Sequence, residues 1–283
     1  MKILNRILKY ALSRHQGKLK YQTTFQYLYH LGLSGMNMGG GWDIEDSGEG
    51  IAIEHVKSLF SRKNHLMLFD VGANKGDYST MLKKLFQEKA TIHAFEPSKH
   101  TFVMLQKKVG NQDRVFLHQK ALGETAAQLT LYYPEKGAGL ASLYDRKLDH
   151  FGIETKEAEQ VAVVTLDSFC QENGISEIDF LKLDVEGHEL AVLKGGKQML
   201  DDGKIHVIQF EFGGCNIDSR TYFQDFFYLL SPGFRIYRIV KDGLFPIEEY
   251  SEDLEVFKTT NYLCISKKIV ADQIKKIEYP NRQ

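Results

Sequence analysis

No stretch of this chain approaches the roughly 20 consecutive apolar residues that a membrane-crossing helix needs, so stable membrane insertion is not expected. The N-terminus lacks the apolar core and small-residue cleavage site of a secretory signal. Cysteine is scarce: Cys170, Cys215 and Cys264 stand far apart, without the C-x-x-C pairing of a metal site or the even count of a disulfide framework. These absences point to a cytoplasmic protein with three ordinary buried thiols. An excess of either charge is missing as well. Lys and Arg total 36 against 37 Asp and Glu, a formal net charge of -1, which offers no broad cationic face to nucleic acid. The sequence also has no base-flipping motif, no internal repeat and no H-x-x-H or H-E-x-x-H grouping.

What is present is the composition of a folded domain, 43% hydrophobic and 26% charged. The first residues, MKILNRILKYALSRHQGKLK, place Ile3, Leu4, Ile7, Leu8, Ala11 and Leu12 at helical spacing. Lys2, Arg6, Lys9, Arg14, Lys18 and Lys20 fill other positions, with no acid. Such a basic amphipathic helix suits an anionic membrane surface or a partner, although packing against its own domain is the plainer expectation. Tyr21, Phe25, Tyr27, Tyr29 and Trp42 follow; they suit stacking on a sugar face, or packing of a helix onto a sheet, the better reading for Phe25. The glycine-rich run GMNMGGGWDIEDSGEG cannot build a core, and Gly39 to Glu49 is the candidate lid over an acceptor. Residues 1–62 thus form a helical extension with a lid loop, 63–270 the main domain and 271–283 a tail.

From Leu66 short apolar runs alternate with helical stretches. HLMLFDVG, TIHAFEP, VFLHQKAL, QLTLYY, VAVVTL, IDFLKLDVEG and HVIQFEF read as extended segments, and FRIYRIV and NYLCISKK close the chain. Alternation of this kind predicts parallel βαβ units, an α/β doubly wound fold. Ligands in such sheets sit beyond the carboxyl ends of the strands. Asp70, Glu96, Asp184 and Glu211 close four of the expected strands, and four carboxylates there predict one acidic cleft.

The loop Asp70-Val71-Gly72-Ala73-Asn74-Lys75-Gly76-Asp77 makes a tight strand-to-helix turn. A dinucleotide fingerprint needs a second glycine where Asn74 stands. A pyrophosphate also favours a helix N-terminus free of carboxylates, whereas Asp70 and Asp77 bracket this one. S-adenosylmethionine carries an ammonium and a sulfonium and no phosphate, so it suits the acidic turn. Glu96 is placed to accept hydrogen bonds from both ribose hydroxyls. A nicotinamide-dependent oxidoreductase and a non-catalytic adenosyl-ligand-binding protein are the competing readings, the first disfavoured by the loop chemistry.

VGANKGDYS, AFEPS, QKALG, VTLDSF, DFLKLDVEGHELAVLKGG and NYLCISKK resemble the FkbM family of methyltransferases, over about Leu66 to Lys268, with SGEG just before them. The resemblance implies a class I methyltransferase (Rossmann-like) fold, mostly parallel with an antiparallel final strand, and O-methylation, often of sugar hydroxyls. It also implies that Asp70, Gly72, Asn74 and Gly76 hold the methionine part, that Glu96 holds the ribose, and that Ala121 and Leu122 touch the adenine.

Asp184-Val185-Glu186-Gly187-His188-Glu189 follows an apolar strand. Asp184 and Glu186 share a side there, and His188, with an ordinary pKa near 6.5, opens the next helix as the natural general base. Asp184 or Glu186 serves instead, or orients the ring; the plainer reading of His188 is a helix-terminal residue satisfied by its neighbours. Asp184 and Glu211 also suit Mg²⁺ beside a bidentate acceptor, but without a further ligand at tight spacing the metal-free scheme comes first. The expected substrate is a small or sugar-like hydroxyl acceptor.

Overall fold

The computed structural model describes residues 10, 12–40, 47–137 and 139–269. Most of the expected first helix (1–9 and 11), the centre of the expected lid with Trp42 (41–46) and the tail (271–283) lie outside the described residues.

Two helices, α1 (Gln22–Gly35) and α2 (Glu49–Leu59), precede the first strand. The chain then alternates through β1 (Leu66–Val71), α3 (Asp77–Phe86), β2 (Ala90–Phe95), α4 (Lys99–Val109) and β3 (Val115–His118). An excursion follows, made of β4 (Ala121–Leu122), β5 (Ala127–Tyr133) and β6 (Glu157–Val164). Alternation resumes with α5 (Leu166–Glu172), β7 (Ile178–Leu183), α6 (Glu189–Gly195), α7 (Lys197–Asp201) and β8 (Ile205–Phe212). The last part holds α8 (Cys215–Ser219), α9 (Phe223–Leu230), β9 (Phe234–Val240), β10 (Gly243–Ile247) and β11 (Thr260–Ser266).

Eight strands form the main sheet in the order β10-β9-β11-β8-β7-β1-β2-β3. β1 pairs in parallel with β2 and β7, and β7 with β8. The closing strand β11 is antiparallel to both neighbours, β8 and β9, and β10 adds an antiparallel edge through a hairpin from β9. The strand order therefore reverses between β1 and β7, which opens a crevice at their carboxyl ends.

Alternation of side chains along each strand divides the core into two layers. Phe69, Leu181, Ile208 and Phe210 face one side, where Phe169 of α5, Leu190 of α6 and Phe226 of α9 cover them. Leu68, Phe180 and Val207 face the other, against Tyr78 and Leu82 of α3 and Ile53 and Val56 of α2. Each large apolar side chain buried this way stabilises the fold by about 1.5–3 kcal/mol. The helix α2, expected within the extension, thus packs in the same core as β1.

Two expectations need correction. VFLH forms β3 and continues the parallel series beside β2, but the following Ala121–Leu122, QLTLYY and VAVV do not: β4, β6 and β5 make a separate three-stranded sheet, with β5 antiparallel to β6. The chain leaves the main sheet after His118, and β5 shows the half-exposed pattern of a sheet with one wet face. The helix α1 does not pack onto the main sheet as its aromatics suggest. Leu33 is its one buried residue, Phe25 is half-buried, and Tyr27 and Tyr29 are exposed.

Candidate active site

The turn after β1 is built on left-handed backbone: Gly72 has φ +83°, Asn74 +47° and Gly76 +90°. At Gly72 the reason is also contact. A Cβ there would stand 1.8 Å from the carbonyl oxygen of Asp184, so only glycine lets the ends of β1 and β7 close up. The Gly72 and Ala73 amides donate to the Phe95 carbonyl at 3.0 and 2.9 Å. This brings the turn beside Glu96, whose carboxylate accepts from the amides of Asn74 (3.1 Å) and Ser98 (2.9 Å). Burial pushes the Glu96 carboxyl up to about 7, against the pull of those two amides. Asn74 lines the same space, and its Oδ1 is buried without a partner.

That space is a cleft lined by Gly72, Asn74, Glu96, Leu122, Asp184 and His188, among others. Ala121, also in its lining, and Leu122 supply buried apolar surface from β4, with Lys120 beside them.

Not every expected residue reaches the cleft. Asp70 lies within β1 rather than at its end, and pleating turns its side chain into the core. It accepts from Ser79 Oγ at 2.5 Å and lies 3.8 Å from Lys182 Nζ, fully buried. Gly76 caps α3 against Leu105. Asp77 is exposed on the first turn of α3 and pairs with Lys108. Glu211 sits in β8, one position past the Leu183–Phe210 pair; it is outside the cleft lining but close behind it, where burial and the neighbouring Asp184 and Glu186 push its carboxyl well up. Of the four acidic strand ends, Glu96 and Asp184 face the ligand space.

Sequence reasoning missed the cation beneath them. Lys182 is a buried lysine in β7, whose one other charged residue is Asp179, and it lies 3.0 Å from Asp184 Oδ2 and 4.3 Å above the Tyr78 ring. Carboxylates on three sides, led by Asp184, raise its proton affinity despite burial. Tyr78 Oη donates to Gln209 at 2.8 Å, Gln209 Nε2 donates to Glu49 at 2.6 Å, and Ser47 Oγ donates to Glu49 at 3.0 Å. The SGEG run therefore reaches the floor of the site. Among the described residues no group of three His, Cys, Asp or Glu side chains is placed to hold a metal, and Lys182 occupies one oxygen of Asp184.

The other wall comes from the loop between β5 and β6. Its Arg146 pairs with Glu186 and lies 3.8 Å from Asp218. Ser142 Oγ donates to the Glu186 carbonyl at 2.7 Å, holding Glu186 in its left-handed conformation, φ +52°. Burial pushes the Glu186 carboxyl up, opposed by Arg146. Tyr144 Oη lies 3.1 Å from His188 Nδ1. Burial lowers the His188 pKa to about 4, which keeps the ring neutral. Glu189 accepts from the Val185 and Gly187 amides at 2.9 and 3.2 Å and so fixes the turn. Arg146 and Tyr144 had no signal in the sequence, because their segment has no periodicity and its partners are distant. Lys182 had one, a charge within the apolar run Phe180–Leu183 of β7.

Strand order, the glycine turn and a carboxylate after β2 define a class I methyltransferase fold with its ligand cleft at the topological switch. Residues 70–236 match the methyltransferase FkbM domain, more than half of the chain, and the protein belongs to that family. The 2-O-methyltransferase NoeI of Sinorhizobium fredii is 26% identical over 155 residues, 51% of this chain and 63% of that protein. Methyltransferase 1 of Beauveria bassiana is 32% identical over 151 residues, 48% and 58% of the two. The hexuronic acid methyltransferase AglP of Haloferax volcanii is 25% identical over 151 residues, 52% and 56%. The aligned region thus spans about three fifths of these relatives, between 56% and 63%. Fibrillarin of Methanococcus jannaschii overlays with a TM-score of 0.43 at 12% identity, covering 80% of this chain and 76% of that one, a score too low to add an argument.

The Arg146–Glu186 pair predicts a stability effect. Arg146→Met leaves a buried carboxyl without its cation and should destabilise the protein, by less than the ~3–5 kcal/mol of a stranded charge because that carboxyl takes up a proton, whereas the double variant with Glu186→Gln should recover most of the loss. Urea denaturation of single and double variants reads the difference; equal loss in both would show that the pair does not hold the loop.

Proposed function

We propose that the protein is an S-adenosylmethionine-dependent O-methyltransferase acting on a hydroxyl of a small or sugar-like acceptor. The observation that carries this reading is the pairing of Glu96 with the Asn74 turn: a buried carboxylate for a ribose, beside an unpartnered amide oxygen for a cationic group. Asp184 continues that acidic wall, and Ala121 and Leu122 offer the adenine an apolar slot. The names of NoeI and AglP support a sugar-like acceptor.

Bound S-adenosylmethionine supplies a methyl group on a sulfonium that leaves as a neutral thioether. The protein has to align the acceptor oxygen and accept its proton. His188 and Asp184 are the two acceptors at the cleft. The neutral His188 ring has Nδ1 3.1 Å from Tyr144 Oη and Nε2 against Gly123; whichever nitrogen lacks the proton is the base. Lys182 bonds one oxygen of Asp184, and the second oxygen remains for the hydroxyl. Glu186, engaged by Arg146, holds the acceptor wall. Incubation with labelled S-adenosylmethionine and host extracts should yield a methylated hydroxyl product. His188→Ala and Asp184→Asn should each slow single-turnover transfer by about 10²–10⁴. Full activity in both variants would place the chemistry elsewhere.

Glu96 gives a pH dependence. The carboxyl ionises near 7 in the free protein, and accepting two hydroxyls needs the ionised form. Affinity for S-adenosylhomocysteine should therefore fall about tenfold for each pH unit below that value and level off above it. Glu96→Gln should bind more weakly at high pH and lose the slope. Calorimetry that finds the same slope in both proteins would remove Glu96 from the ribose site.

A further inference from the structure

The helix α1 has an outward face that the fold leaves uncovered. Tyr27, Leu28 and Leu31 are 67%, 39% and 56% exposed, and at about 100° per residue they fall within roughly 100° of arc. Leu33, buried on the opposite side, ties the helix to the domain. Just before it lie Arg14, Lys18 and Lys20, all exposed, and Leu19, 91% exposed.

The charge of this part of the chain is one-sided. Lys2, Arg6, Lys9, Arg14, Lys18 and Lys20 precede the first acidic residue, Asp43, although the whole protein is near neutral. A second copy meeting this face through a two-fold axis would bring like charges together. An anionic lipid surface complements it: the cations attract the headgroups, and a tyrosine with two leucines inserts at the headgroup–acyl boundary. No helix among the described residues is long and apolar enough to cross a membrane, so the contact is peripheral and reversible.

We propose that residues 12–31 dock the protein onto anionic phospholipid membranes, with Tyr27, Leu28 and Leu31 as the inserting face. The plainer expectation for the N-terminal segment was packing against its own domain; the uncovered face of α1 is what argues otherwise. The test is co-sedimentation of the full chain with vesicles of phosphatidylglycerol and phosphatidylcholine, and with phosphatidylcholine alone. Binding is expected to the mixed vesicles, to weaken with salt, and to be slight on phosphatidylcholine. Each cation near the surface is worth about 1 kcal/mol, so Lys18→Gln with Lys20→Gln should lower the partition coefficient about 30-fold. Leu28→Ser with Leu31→Ser should lower it about tenfold or more and leave the thermal unfolding midpoint in place. Absent binding, equal binding to both vesicle types, or binding unaffected by the leucine changes overturns the proposal. So does a dimer in light scattering that those leucine changes dissolve, since that assigns the face to a second copy.

Discussion

The site is organised around one buried ammonium. Lys182 stands opposite Asp70 across the β1–β7 pair and bonds Asp184 just beyond the strand. A lone charge at this depth would be prohibitively costly, so the lysine and the carboxylates require one another. Burial pushes Asp70 upward while Lys182 and Ser79 oppose it. Through Tyr78, Gln209 and Glu49 the same network reaches α3, β8 and the start of α2. The N-terminal element is thereby tied to the floor of the cleft, and Asp184 has a fixed charge partner before any acceptor arrives.

Gly72 supplies the matching geometric constraint. Its missing side chain lets the ends of β1 and β7 close up, which carries Asn74 toward Glu96 and leaves the cleft between them. The two walls are then specialised. Main-chain amides and Glu96 form one, and the long loop carrying Ser142, Tyr144 and Arg146 forms the other. Such a loop can vary without disturbing the sheet, as expected where acceptors differ among proteins of one scaffold.

Much of this was legible in the residues. Apolar runs of six to eight located the strands of the main sheet, and D-x-G-x-N-x-G with a following acidic strand end located the cleft. What failed was resolution at one residue. Asp70 and Glu96 look alike as acids near strand ends, but Asp70 precedes the last strand residue, and the pleat sends it inward. The small sheet of β4, β5 and β6 escaped because its strands alternate much as a parallel edge would. His188 was legible as a cleft residue, whereas its neutral state depends on burial and on Tyr144, 44 residues away.

All of this rests on the cleft being made for an adenosyl sulfonium rather than a phosphate-bearing nucleotide. Calorimetric titration of the purified chain with S-adenosylmethionine and with NADH tests that most directly. S-adenosylmethionine should bind and NADH should not displace it. Glu96→Ala should weaken binding by at least one charge-assisted hydrogen bond, about 1.5–3 kcal/mol. Tight NADH binding, or S-adenosylmethionine affinity unchanged in Glu96→Ala, would contradict the assignment.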